Sequence, residues 1–249
     1  MMKLPILFIL IACIAGCVTL SGSEPNHAQN SAKLRTDLAA EYYSRAQYGV
    51  ALDELQKALH IDSRYAPAYG VRALVHMALH EDKEAEEDFL TSLRLDTVNS
   101  ESHSNYGWFL CQHGRESESV KQFMAALKNP LYATPEKAYL NAGVCSRKAG
   151  ELKDAEEFLQ RALYYRPEMP EAQLELAELE FTKGDYAAAK SAFSHYARSA
   201  ADNLTAANLW LGVRIERMRG NSSAEEIYAM QLRNRYPDSR ETQLLLQAQ

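Results

Sequence analysis

Residues 140–159 read L-N-A-G-V-C-S-R-K-A-G-E-L-K-D-A-E-E-F-L. A small residue, Gly143, is followed twelve positions later by a second, Ala155, and four positions beyond that by a large apolar one, Leu159. On a helix, residues four apart share a face, and Gly150 falls between the two small residues, where a chain leaving one helix needs a left-handed backbone. The stretch predicts two helices in close contact, with small residues letting the backbones approach and Leu159 filling the space beside them. The first column recurs as Ala39, Ala73, Gly107, Gly143, Ala177 and Gly212, at spacings of 34, 34, 36, 34 and 35. The second recurs as Ala51, Ala85, Ser119, Ala155, Ala189 and Ala224, and the third as Leu55, Phe89, Phe123, Leu159, Phe193 and Tyr228. Three columns holding one register through six copies mark an internal repeat.

The pattern resembles that of tetratricopeptide repeats, W-x-x-L-G-x-x-Y…A-x-x-x-F…P. The fullest match is Leu211-Gly212 with Ala224, Tyr228 and Pro237; Gly143, Ala155 and Pro167 follow. The Trp column is the weakest and holds Arg35, Tyr69, His103, Tyr139, Gln173 and Asn208. Each pair leaves a face uncovered, so the pairs must stack. The expected fold is all-α, a right-handed solenoid of six helix pairs at 32–65, 66–99, 100–133, 136–169, 170–203 and 205–238. First helices line most of a concave surface suited to holding another chain. Residues 239–249, with Leu244, Leu245 and Leu246, are expected to cap the last pair. Gly114, Gly150 and Gly184 fit the turns between paired helices. Pro67, Pro135 and Pro170 fit first-helix starts, where a missing amide donor costs nothing. The two extra residues around Asn129-Pro130-Leu131-Tyr132-Ala133-Thr134-Pro135 are expected to lengthen a turn without disturbing either helix.

Ahead of the repeats the chain is different. Met1 to Lys3 gives a short positive end and Leu4 to Ile14 an apolar run too short to span a bilayer, as in an export signal. Ile14-Ala15-Gly16-Cys17 resembles the bacterial lipobox, which implies cleavage after residue 16 and acylation of Cys17. Leu10-Ile11-Ala12-Cys13 fits the same pattern loosely but leaves an apolar stretch of only Leu4 to Ala12. Several acyl chains together hold a protein stably on a membrane where one does not. Val18 stands where Asp favours inner-membrane retention in enteric-type bacteria, so the resemblance implies the periplasmic face of the outer membrane. Residues 17–31, polar and rich in turn formers, read as a flexible tether.

Composition excludes several classes. The chain is globular, with 47% hydrophobic and 24% charged residues. A formal charge of −6 without a basic stripe argues against nucleic-acid binding. The four cysteines show no C-x-x-C spacing. His76 and His80 have the spacing of a helical metal pair, yet H-E-x-x-H is not matched and no third ligand is evident, so neither a metal nor a cofactor is expected. No G-x-S-x-G, Walker loop or G-x-G-x-x-G occurs, and no enzymatic activity is expected. The acidic run Glu81–Asp88 straddles a turn and a helix start and reads as a solvated face.

Cys111 and Cys145 lie late in consecutive first helices. With the two-residue insertion subtracted they are two positions out of phase, an axial offset of about 3 Å. That is within disulfide reach if the side chains converge; the alternative is two buried thiols acting as small apolar residues.

The stretches Asn105-Tyr106-Gly107-Trp108-Phe109-Leu110-Cys111 and Leu140-Asn141-Ala142-Gly143-Val144-Cys145, together with the lipobox, resemble the PilF/PilW family of type IV pilus biogenesis lipoproteins. The resemblance implies a pilotin, a lipid-anchored scaffold that accompanies the secretin to the outer membrane and promotes its multimerisation, or that stabilises pilus fibres. The implied partners are the secretin, with other pilus-assembly proteins, and the outer membrane through the acyl chains. Helix phase places Tyr43, Leu74, Met77, Asn105, Trp108, Asn141 and Arg147 toward the concave side. Asn105 and Asn141 occupy equivalent places and can hold an extended backbone by paired hydrogen bonds. Tyr43, Leu74 and Met77 form an expected apolar floor, where the resemblance suggests the secretin docks; the alternative for Trp108 and Leu74 is core between stacked helices. The alternative function is another outer-membrane tetratricopeptide lipoprotein, of β-barrel assembly or peptidoglycan-enzyme regulation.

Overall fold

A computed structural model describes residues 27–247. The expected signal at 1–16, Cys13, Cys17 and the tether up to 26 lie outside the described residues.

Six helix pairs follow one another: α1 (His27–Ser44) with α2 (Tyr48–Ile61), α3 (Ala66–Ala78) with α4 (Asp82–Leu95), α5 (Ser100–Gln112) with α6 (Glu116–Ala126), α7 (Pro135–Lys148) with α8 (Leu152–Tyr165), α9 (Pro170–Lys183) with α10 (Tyr186–Ala200), and α11 (Ala206–Met218) with α12 (Ser222–Arg235). A 3-10 turn, Ala201–Asn203, precedes α11, and α13 (Arg240–Gln247) closes the array against α11 and α12. The fold is the all-α tetratricopeptide-type solenoid that the columns require.

The columns are its core. Ala39, Ala73 and Ala177 are fully buried, as are Leu55, Phe89, Phe123, Leu159 and Phe193. A Cβ on Gly143 would sit 2.7 Å from Leu159 Cγ and 3.2 Å from the Ala155 carbonyl. The backbones of α7 and α8 therefore approach as closely as a missing side chain allows. Only the sixth copy departs: Ala224 and Tyr228 are half-buried, because no seventh pair covers them.

The turn glycines take the expected left-handed conformation, with φ of 72° at Gly114, 81° at Gly150 and 84° at Gly184. Gly220 does the same at 69°, while Ala46 at 56° and His80 at 61° hold the equivalent places in the first two pairs. A Cβ makes this region unfavourable. Ala46→Gly and His80→Gly are each expected to stabilise the protein by about 0.5–1 kcal/mol, after the greater freedom of glycine in the unfolded chain is subtracted. Equilibrium urea unfolding at unchanged m-value checks this.

Three expectations are corrected. Helix α1 begins at His27, so residues 27–31 of the expected tether are helical; no Pro or Gly lies between His27 and Ser44 to stop the first turn earlier. The insertion does not leave both helices intact: α6 spans 11 residues where α4 and α8 span 14. Pro130 disfavours the helical conformation at Asn129 and so ends α6 early. The C-terminal segment, by contrast, caps the last pair as expected, with Leu245 buried at 1% exposure and Leu244 and Leu246 turned outward at 36% and 57%. Neighbours on a helix point a hundred degrees apart, so one of three consecutive residues faces the array. His80 lies beyond the end of α3, so it and His76 do not share a helix face; His76 Nδ1 instead meets Glu81 at 2.6 Å.

The acidic run is a solvated face only in part: Glu81, Asp82, Lys83, Glu84 and Glu87 are exposed, whereas Glu86 is half-buried and Asp88 is buried. Arg72 of α3 donates two hydrogen bonds to Asp88, at 2.6 and 2.7 Å, and Asp88 is buried. Arg115, in the turn after α5, meets Glu86 at 2.6 Å, and the Tyr106 hydroxyl donates to the same carboxylate at 2.7 Å. Burial and that carboxylate push the Tyr106 phenol up to about 12. The reason is positional: α4 packs against both α3 and α5, so Asp88 reaches Arg72 on one side and Glu86 reaches Arg115, just beyond α5, on the other.

His113 belongs to this seam. Its Nδ1 donates to the Phe109 carbonyl at 2.7 Å and its Nε2 lies 3.1 Å from Asp82. With an acceptor at each ring nitrogen, the doubly protonated ring is favoured, and the Phe109 carbonyl followed by Asp82 raises its pKa despite opposing burial. A raised folded pKa contributes stability that is complete below the unfolded value of about 6.5 and is lost as pH rises through the folded one. The melting temperature of the protein is therefore expected to exceed that of His113→Gln at about pH 5.5, and the gap to shrink by about pH 9.

Candidate functional site

The first helices α1, α3 and α5 pack side by side, and where they meet the surface is hollow. A groove of about 360 Å³ runs across them, lined by Thr36 and Ala40 of α1, Gly70, Val71 and Leu74 of α3, and Ser102 and Asn105 of α5. Small residues make the hollow. A Cβ at Gly70 would come within 3.0 Å of Ser102 Oγ, which is itself held 2.7 Å from Ser92 Oγ beneath the groove. The Ser92 hydroxyl donates to the Ala66 carbonyl at 2.9 Å. The polar floor is thus satisfied internally, and Val71 and Leu74 supply the apolar walls.

Of the residues that helix phase selected, Leu74 and Asn105 come together in this groove. Asn141 lies on α7, one repeat on, and the side-chain amides of Asn105 and Asn141 make no hydrogen bond among the described residues. An unengaged amide offers one acceptor and two donors, the complement of an extended backbone.

The other selected residues are more firmly built in. Tyr43 packs on the Ala39, Ala51 and Leu55 cluster with its ring 6.1 Å from Tyr48, and burial pushes its phenol up. Met77 leans on the cluster of Ala73, Phe89 and Tyr106. Trp108 is half-buried against the Cys111, Phe123 and Cys145 cluster and carries the Lys148 ammonium 5.9 Å from its ring centroid. Cys111 and Cys145 are joined as a disulfide, with Cα atoms 5.8 Å apart, which ties α5 to α7 below Asn105 and Asn141. Arg147 is engaged by Glu175 at 2.6 Å and Glu178 at 3.1 Å on α9.

Glu175, Glu178, Phe181 and Arg214 continue the same surface and escaped the sequence reading. The signal was in the columns: thirty-four positions after Asn141 comes Glu175, and after Arg147 comes Phe181. Among the described residues no group of three or more His, Cys, Asp and Glu could hold a metal ion, and no helix is long and apolar enough to cross a membrane.

A family profile described as tetratricopeptide repeat matches residues 146–209. The type IV pilus assembly protein PilF of Pseudomonas aeruginosa is 28% identical over 242 residues, covering 96% of this chain and 95% of PilF. A crystal structure of PilW, described as a widely conserved type IV pilus biogenesis factor, superposes with a TM-score of 0.80 at 36% identity, covering 86% of this chain and 98% of PilW. The structure of Pseudomonas aeruginosa PilF superposes with a TM-score of 0.82 at 26% identity, covering 89% of this chain and 99% of that one.

Proposed function

The chain belongs to the PilF/PilW family of tetratricopeptide-repeat proteins of type IV pilus biogenesis, and from that premise we propose that it is a non-enzymatic, lipid-anchored scaffold for the pilus secretin. Acylated at Cys17, it stands on the periplasmic face of the outer membrane and takes a segment of the secretin along its concave surface. It thereby promotes secretin localisation and multimerisation, or the stability of the fibre.

The observation that carries this reading is the pair of unengaged amides, Asn105 and Asn141, on adjacent first helices, with Asn105 lining the groove walled by Val71 and Leu74. Main-chain hydrogen bonds supply affinity for an extended segment, and Val71 and Leu74 supply a place for its apolar side chains. Neither asparagine supports the fold through a hydrogen bond, so Asn105→Ala/Asn141→Ala tests the surface without dismantling the solenoid.

The readout is the fraction of secretin in heat-stable multimers in membranes of strains lacking the protein or carrying that pair or Cys17→Ala. Loss of multimers in the deletion, misplaced multimers with Cys17→Ala and fewer with the asparagine pair are expected. Multimers unchanged in every strain would refute secretin assembly as the role.

A further inference from the structure

The far end of the concave surface has different chemistry. The link from α10 to α11 carries the extra Ala201–Asn203 turn, which no earlier pair has among the described residues. Phe181 of α9 and Arg214 of α11 meet across these two first helices, with the guanidinium 4.6 Å from the ring centroid. Arg214 makes no ion pair and no hydrogen bond among the described residues. Its Nε is turned inward and buried without a partner, which leaves the two terminal Nη atoms as the donors that reach the surface.

The neighbouring charges do not answer it. Glu175 and Glu178 are both held by Arg147. Arg217, one turn along α11, is engaged by Glu225 at 2.8 Å and lies 6.0 Å from the Trp210 ring. Burial lowers the pKa of the Arg214 guanidinium, with Glu178 opposing, and burial raises that of the Glu178 carboxyl. Arg214 is thus a half-buried cation with its guanidinium over an aromatic ring and no ion-pair partner, and such an arrangement favours a carboxylate approaching the Nη atoms.

We propose that Arg214 receives an Asp or Glu side chain of the segment bound along the concave surface, with Phe181 holding the guanidinium flat for it. The inference deepens the scaffold reading and rests on it only for the identity of the partner. The bound segment then has a polarity: apolar side chains over Leu74 and Val71 of the second pair, and an acidic one at Arg214 of the sixth, four repeats farther on.

The test uses the mature chain in detergent and two probes, the blocked tripeptides Ala-Glu-Ala and Ala-Gln-Ala, titrated at matched ionic strength while the arginine Nε–Hε resonances are followed by NMR. The Glu probe is expected to shift the Arg214 resonance saturably, the Gln probe to leave it in place, and Arg214→Lys to weaken the effect. No shift, or equal shifts from both probes, overturns the proposal. In parallel, the purified secretin is expected to bind Arg214→Gln about tenfold more weakly than the parent, with Arg214→Lys between. Thermal melting of both variants separates this from loss of fold. A chain that binds the Glu probe but no secretin defeats the partner assignment alone; secretin bound equally by parent and Arg214→Gln, with no probe shift, defeats the carboxylate site alone.

Discussion

Leu159→Ala is expected to cost about 3 kcal/mol of stability and Gly143→Ala about 2, while the double variant costs less than their sum by about 1 kcal/mol or more. Leu159 is fully buried, so its truncation removes transfer free energy and leaves a cavity. A methyl group at Gly143 would come within 2.7 Å of Leu159 Cγ and 2.9 Å of Cδ2. Contacts that close force α7 and α8 apart. In the double variant the intruding methyl enters the space that the leucine vacated, and only the 3.2 Å approach to the Ala155 carbonyl persists. Equilibrium urea unfolding of the four proteins measures the coupling. Strict additivity would mean that the small and large columns do not share one contact. Position along the array matters as well. Leu159 packs in one cluster with Leu179 of the following pair, so its loss is expected to exceed that at Tyr228, which is half-buried at the end of the solenoid.

The same contact explains what was legible in the sequence. Gly143 and Leu159 are bound to one another by steric necessity, and a necessity repeated six times leaves columns that can be counted. The left-handed turns were half visible. Gly114, Gly150 and Gly184 announce themselves, whereas Ala46 and His80 adopt the same conformation without the residue type that signals it, held there by the helices on either side. Ends were the least legible, for reasons particular to each. At His27 the start lies within a polar run, P-N-H-A-Q-N-S, whose composition reads equally as a tether, and at Asn129-Pro130 a single proline shortened a helix that the register alone would have carried on. The acidic run misled because local spacing says nothing of what a neighbouring element presents; Asp88 is buried only because Arg72 comes from another helix to meet it. Of the concave surface, the residues near the small column, Leu74 and Asn105, came out of helix phase directly. Arg214 did not, since its distinction is the partner it lacks, and a missing partner is a property of the folded surface.

Reducing the Cys111–Cys145 bond is expected to lower stability by about 4 kcal/mol. The bridge closes a loop of sequence separation 34. In the chain-entropy model the loss of unfolded-state freedom grows with the logarithm of that length. The location adds a second consequence. The disulfide joins α5 to α7 across the junction where α6 is short and the link through Leu131 is long, Leu131 itself being 88% exposed. Asn105 lies six residues before one cysteine and Asn141 four before the other, so the bond fixes the spacing of the two amides as well as the register of the repeats. Urea unfolding with and without reductant, beside Cys111→Ala/Cys145→Ala, separates these effects. Reduced parent and double variant are expected to match in stability and to show faster amide exchange in α5 and α7 than the oxidised protein, with the exchange of α11 and α12 unchanged. Equal stability with and without reductant would mean that packing of α5 on α7 alone holds the junction. Because nearest-neighbour interfaces carry a solenoid, loosening this one divides the concave surface between Asn105 and Asn141. Reduction is therefore expected to weaken partner binding by more than the loss of either amide alone.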